Sequence, residues 1–206
     1  MSISNYTELT AEIANFLNRD DLTTAIPSFI RLAEAKLNRD ARHWRMEKRS
    51  TAVLDTQYTA LPTDFIVPIR LTLATSATKV LELAATNEIS KLRSDASNAT
   101  GEPSYYALID GALEAFPTPD ASYTLELLYY GLLDGLNSGN PTNWVLTYYP
   151  DVYLYGALLH SAPYLMDDSR IQVWGAYYAS AIESLNHENE TAKTGGSGRR
   201  MRIRSY

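Results

Sequence analysis

The hydrophobic period changes twice along this chain, and that change limits its fold more than any other feature. Leu9, Ile13, Phe16 and Leu17 recur at helical spacing, as do Ile26, Phe29, Ile30, Ala33 and Leu37, with the stripe continuing toward Ala41 and Trp44. From Ser50 to about Tyr130 the apolar residues instead alternate in short runs broken by Pro, Gly and Asp, and helical spacing returns after residue 143. Helical side chains share a face every three or four residues and strand side chains every two, so the order helices, sheet, helices reads as an α+β chain. The simplest packing joins residues 1–49 and 134–192 in a helical bundle. Residues 50–133 then form a β-rich, antiparallel insertion of four to six strands, and residues 193–206 an extended C-terminal arm.

The individual elements carry start and stop signals. Asn5 or Thr7 can cap the first helix, and Asn18-Arg-Asp-Asp21 ends it. The second helix is predicted from Thr23 or Thr24 to about Lys48, with Pro27 in its first turn, where a missing N–H costs little. Its far end carries Arg39, Arg42, Arg45, Lys48 and Arg49, read as a solvated basic face. Ile66–Leu73 and Val80–Leu83 read as strands, Pro68 moving the first toward an edge or a bulge. A short helix opens at Thr86 and ends near Arg93. Ser94–Pro103 is a polar loop and the best candidate for disorder in the body. Asp110-Gly111 between Tyr105–Ile109 and Leu113–Phe116 is a hairpin signal. Ser122–Tyr130 is a strand with Tyr123, Leu125, Leu127 and Tyr129 on one face. Pro150 starts a helix that continues to Met166. Asp167 and Asp168 cap a last helix whose stripe is Ile171, Trp174, Tyr178, Ile182 and Leu185.

The 206 residues include no cysteine, which excludes a disulfide framework and thiolate metal sites. Residues 1–16 lack a basic segment followed by an apolar run, so no secretory signal is expected, and no stretch approaches the ~20 apolar residues of a membrane helix. No catalytic, metal or cofactor constellation is legible. His43, His160 and His187 lie far apart, no glycine loop is followed by Lys-Ser/Thr, and Gly-x-Ser-x-Gly does not occur. Glu12, Glu34 and Glu47 are expected to pair with helix arginines, and Glu114 and Glu126 to face solvent from strands. This reading is not that of an enzyme.

Two features point outward. Fifteen Tyr stand against four Phe and three Trp, and a ring with a polar tip favours interfaces. Tyr148, Tyr149, Tyr153, Tyr155, Tyr177 and Tyr178 exceed what one helix stripe can bury, which makes them candidates for subunit contacts. The other feature is the end of the chain, AKTGGSGRRMRIRSY. It carries Lys193, Arg199, Arg200, Arg202 and Arg204 with no acid, while all 24 Asp and Glu precede it in a chain of net charge −6. A Gly-Gly-Ser-Gly linker behaves as a flexible coil, so the acidic body is expected to carry a mobile basic arm. Such an arm suits nucleic acid or an acidic protein equally well.

An ordered set of stretches resembles the head-to-tail adaptor (connector) proteins of tailed bacteriophages. The set is Leu61-Pro-Thr-Asp-Phe65, Gly101-Glu-Pro-Ser-Tyr-Tyr-Ala107, Phe116-Pro-Thr-Pro-Asp120, Thr142-Asn-Trp144, Pro150–Leu158, Ala162-Pro-Tyr-Leu165, and Asp167-Asp168 with Arg170 and Trp174. The resemblance implies a virion structural protein, assembled in the host cytoplasm, that forms a homo-oligomeric ring, commonly of twelve copies, beneath the portal. It implies a tail or nozzle protein attached below, and genomic DNA passing through without sequence-specific binding. It also implies an arm that docks on the portal; here Arg199, Arg200, Arg202 and Arg204 would meet carboxylates, with Met201, Ile203 and Tyr206 as apolar anchors. No cofactor and no membrane partner is implied. A nucleic-acid-binding module using the arm, and a carboxylate-dependent cell-wall hydrolase, stand as alternatives.

Overall fold

A computed structural model describes residues 3–74, 78–165 and 170–194. The arm residues Arg199, Arg200, Met201, Arg202, Ile203, Arg204 and Tyr206, and the capping pair Asp167 and Asp168, lie outside the described residues. The chain is mixed α+β. Its helices are α1 (Tyr6–Leu17), α2 (Ile26–Asp40), α3 (Thr86–Asp95), α4 (Trp144–Tyr148), α5 (Pro150–Leu165) and α6 (Ile171–Thr194). Its strands are β1 (Glu47–Leu54), β2 (Tyr58–Ala60), β3 (Phe65–Ala74), β4 (Lys79–Leu83), β5 (Tyr105–Ile109), β6 (Ala112–Phe116) and β7 (Tyr123–Gly131). They fall into two compact units, one from Met1–Arg45 with Leu133–Tyr206 and one from Met46–Leu132.

The first unit holds five helices, with α5 against α1, α2, α4 and α6. Asn5 caps α1 through the Glu8 N–H (2.9 Å), and Asn18 closes it in the left-handed region at φ 52°. Trp174, Tyr178, Ile182 and Leu185 of α6 are buried on the stripe read from the sequence. At Gly156 α5 lies close to its neighbours: a Cβ there would lie 3.1 Å from Ala33 Cβ on α2 and 3.3 Å from the Tyr178 ring on α6.

The second unit is one seven-stranded sheet in the order β1-β7-β3-β4-β5-β6-β2. The edge strands β1 and β2 approach each other, so the sheet curls around a core of Leu54, Leu71, Leu73, Leu81, Leu125, Leu127 and Tyr129 with their neighbours. Asp110 (φ 45°) and Gly111 (φ 70°) form the two-residue loop between β5 and β6. Pro68 sits at a register shift between β3 and β7, and β3 pairs with β4 only at Leu71–Leu73. The proline therefore occupies the half of β3 that pairs on one side alone, where its missing N–H breaks no ladder bond to β4.

Four expectations need correction. The sheet has seven strands, and it is not wholly antiparallel: β4 runs parallel to β5, because α3 crosses between them and a parallel pair needs such a crossover. Helix α2 stops at Asp40 instead of Lys48; Ala41 is extended (ψ 140°), Trp44–Met46 is a 3-10 turn and β1 starts at Glu47. The basic cluster therefore lies on a helix end, a turn and a strand, and forms no single helical face. The Ser94–Pro103 loop is held by backbone bonds from Asn98 to Arg93 (2.9 Å) and Gly101 to Thr118 (2.9 Å). Glu114 is buried, whereas Glu126 does face outward, where it pairs with Arg49 and Arg70.

The Leu61–Phe65 stretch now has a physical reason. Asp64 accepts from Lys48 Nζ on β1 (2.8 Å) and from Tyr129 OH on β7 (2.8 Å), and its carbonyl accepts the Leu132 N–H (2.7 Å). Burial raises its pKa, but the Lys48 and Tyr129 bonds outweigh that and hold it below the usual carboxylate value. A depressed carboxylate stabilises the fold above its unfolded pKa, and that contribution is lost as pH falls through the folded value. Asp64→Ala is expected to cost about 1–2 kcal/mol at neutral pH, a figure reduced for partial exposure. Denaturant titrations should show the gap to the wild type narrowing below about pH 4.

Candidate functional site: an aromatic and arginine surface

The end of α2 builds the most distinctive surface of the first unit. With the helix stopped at Asp40, the next backbone N–H groups need new acceptors. Two asparagines of α6 supply them: Arg42 N–H donates to Asn186 Oδ1 (3.1 Å) and Trp44 N–H to Asn189 Oδ1 (2.8 Å). This fixes His43, Trp44 and Arg45 against α4 and its C-terminal residue Tyr149.

His43 is fully buried, its ring stacked on Trp144 (centroids 4.9 Å, 21°) and edge-on to Tyr149 (6.2 Å). The Arg45 N–H donates to His43 Nδ1 (3.2 Å), which places the imidazole proton on Nε2, an atom without a hydrogen-bond partner among the described residues. Burial lowers the His43 pKa, so the ring is neutral around pH 7. Tyr149 OH donates to Glu188, and burial followed by that carboxylate pushes the phenol up to about 12. Above this base the Arg45 guanidinium lies between two rings, 4.6 Å from the Trp44 centroid and 4.2 Å from that of Tyr148. Trp44 is 41% and Tyr148 57% exposed. A cation held between two half-exposed aromatic rings is rigid and amphipathic, and Trp, Tyr and Arg dominate the energetics of protein interfaces.

The tyrosines singled out from the sequence divide by burial. Tyr148 and Tyr177 are exposed, while Tyr149 and Tyr155 are half-buried; the Tyr155 and Tyr177 rings pack at 5.0 Å. Tyr153 and Tyr178 must leave the surface set. Tyr153 is 1% exposed, and Tyr178 is buried with its hydroxyl donating to Asp40 (3.2 Å). Helical spacing alone could not separate these rings, because the same period faces the core and the neighbouring surface. Trp44 and Arg45, expected on the apolar stripe and the basic face of α2, lie instead beyond its end in a 3-10 turn.

Among the described residues no group of three or more His, Cys, Asp or Glu side chains is placed to hold a metal ion, and no described helix is long and apolar enough to cross a membrane. Residues 4–203 match the family model of the SU10 adaptor protein. The chain belongs to the SU10 adaptor family. This is a phage head-tail adaptor family, so the chain is a virion component with a structural, adaptor role. No curated protein matches the chain.

Two of the stretches shared in sequence with the adaptor family hold helix ends in this fold. Asn143 of Thr142-Asn-Trp144 caps α4 through the Leu146 N–H (2.9 Å) and donates to Asp134 O (2.9 Å) and Tyr153 OH (2.6 Å). Arg170 donates to Phe16 O (3.0 Å) and lies 4.9 Å from the Trp174 ring.

Proposed function

We propose that this chain is the subunit of a homo-oligomeric ring, of twelve copies, that joins the portal to a tail or nozzle protein and lets the genome pass. Its membership in the adaptor family over residues 4–203 carries this reading. Ring closure needs two unlike surfaces on each subunit. The Trp44–Arg45–Tyr148 sandwich supplies one of them, with Tyr149, Tyr155 and Tyr177 as further contact candidates. The arm strap, with Arg199, Arg200, Arg202 and Arg204 against portal carboxylates and Met201, Ile203 and Tyr206 in apolar pockets, attaches each subunit to the portal. The net charge of −6 disfavours gripping DNA, since like charges repel.

Mass photometry of the full chain, alone and with purified portal, tests this. A ring on the portal is the expected species. Truncation after Thr194 should leave the circular dichroism spectrum unchanged yet abolish portal attachment. Trp44→Ala and Tyr148→Ala should each weaken self-association about tenfold, at the ~1.4 kcal/mol scale of an interface anchor. A chain that stays monomeric with portal present overturns the ring. Tight DNA binding at physiological salt without portal attachment would instead favour the nucleic-acid module.

A further inference from the structure

A groove of about 880 Å³ runs along α6 on the side facing α2 and α5, from Gly175 to Glu190. Leu159 and Ile182 give it an apolar floor; Asp40, Glu183 and Glu190 give it an acidic rim, with Lys36 and His187 as the basic and titratable members. Asp40 is already paired with Lys36 (2.9 Å) and bonded by Tyr178. Glu183 is exposed and makes no hydrogen bond or ion pair with any described residue.

We infer that this groove seats the chain's own C-terminal residues 199–206, folded back along α6 from the helix end at Thr194. Three observations converge on that occupant. The sequence Arg200-Met-Arg-Ile-Arg204 alternates strictly, so an extended chain presents arginines on one face and Met201 and Ile203 on the other, matching an acidic rim over an apolar floor. The described helix ends at Thr194, only four residues beyond Glu190 at the end of the groove, so the chain that follows starts close to it. The lengths also fit. The groove spans ~22 Å along α6 at 1.5 Å per residue, and the twelve residues after Thr194 reach ~40 Å when extended. With Gly195, Gly196 and Gly198 used to reverse direction, Ile203 falls near Ala179.

The seat is separate from the portal reading and holds or fails in the absence of any portal. Together the two imply a competition in which portal carboxylates must displace the groove carboxylate Glu183 before the strap can transfer.

The absence of cysteine makes a clean test possible in the full chain. Ala179→Cys with Ile203→Cys places one thiol on the groove and one on the arm. Tyr177→Cys with Ile203→Cys places the helix thiol on another α6 face, outside the groove. Under mild oxidation without portal, the first pair is expected to form an intrachain disulfide about tenfold faster than the second, through the raised effective concentration of a seated arm. Adding Glu183→Arg should erase most of that difference; Glu183 is exposed, so the variant should fold, and circular dichroism checks it. Equal rates for the two pairs, or a disulfide linking two chains, would overturn the cis seat. Loss of portal attachment with the seat intact would instead count against the strap.

Discussion

Arg93→Ala is expected to destabilise the second unit by about 3–5 kcal/mol, among the largest effects of any single substitution here. Arg93 reaches from α3 into the sheet, where its guanidinium pairs with Glu114 (3.1 Å) and donates to Ala115 O (3.0 Å) and Thr118 Oγ1 (2.7 Å). Both side chains are nearly withdrawn from water, 13% and 7% exposed, and the guanidinium also lies 5.4 Å from the Phe116 ring. Removing the cation leaves a buried carboxylate facing the Gln57 Nε2 donor (2.9 Å). One neutral amide cannot replace the charge. The cost is therefore that of a stranded charge and not the net worth of the pair. Arg93→Met with Glu114→Leu should accordingly recover most of the loss, since a well-packed apolar pair often matches a buried ion pair. Chemical denaturation monitored by circular dichroism separates the cases. A double variant as unstable as the single one would show that Arg93 acts through Ala115, Thr118 and Phe116 more than through Glu114.

That ion pair also shows where the sequence stopped being readable. An alternating strand read alone places Glu114 on the outer face, and outer normally means wet. Here α3 covers that face, with Ile89, Ala107 and Phe116 forming a small second core, so β6 is buried on both sides over Leu113–Phe116. The signal lay in the neighbouring segments, since a helix between two strands is a crossover that must cover a sheet face and sets β4 and β5 parallel. The α2 boundary was hidden for a different reason. Ala41 and Trp44 continue the helical spacing with no Pro or Gly to interrupt it. The helix is drawn off by Asn186 and Asn189, more than 140 residues away, which accept the N–H groups that would otherwise continue it. Strand β7 and the Asp110-Gly111 turn were legible because their determinants are local. The five-residue α4 is too short to show a period, and only Asn143 as its cap could have announced it. The aromatic and arginine surface inherits both difficulties, being assembled from the end of α2 and from α4.

The second large effect is expected at Tyr153. It is 1% exposed, and truncation to alanine should cost about 3–5 kcal/mol through the cavity and lost burial. Its hydroxyl accepts from Asn143 Nδ2 (2.6 Å) and donates to Glu34 Oε1 (3.2 Å), which also takes the Leu136 N–H (2.6 Å). This chain of bonds ties residues 134–143 to α2 and α5. Burial, then the Glu34 charge, raises the Tyr153 pKa, so the phenol stays a donor throughout the working pH range. Tyr153→Phe keeps the packing but orphans the Asn143 donor and removes one donor from Glu34, and should cost about 1–3 kcal/mol. Glu34 behaves oppositely. Burial holds its pKa above the usual carboxylate value despite the Leu136 and Tyr153 bonds. A raised carboxyl contributes stability that is fully present below its unfolded pKa and lost as pH rises through the folded one, so the ionised group is a burden at neutral pH. Glu34→Gln keeps an acceptor for both donors and removes that burden. It should be no less stable than the wild type at pH 7 and gain relative to it as pH rises from 4. Tyr153→Ala, Tyr153→Phe and Glu34→Gln should therefore rank in falling cost. If Glu34→Gln proved as damaging as Tyr153→Phe, the carboxylate charge itself would be holding the loop, and the assignment of its raised pKa to burial would be wrong.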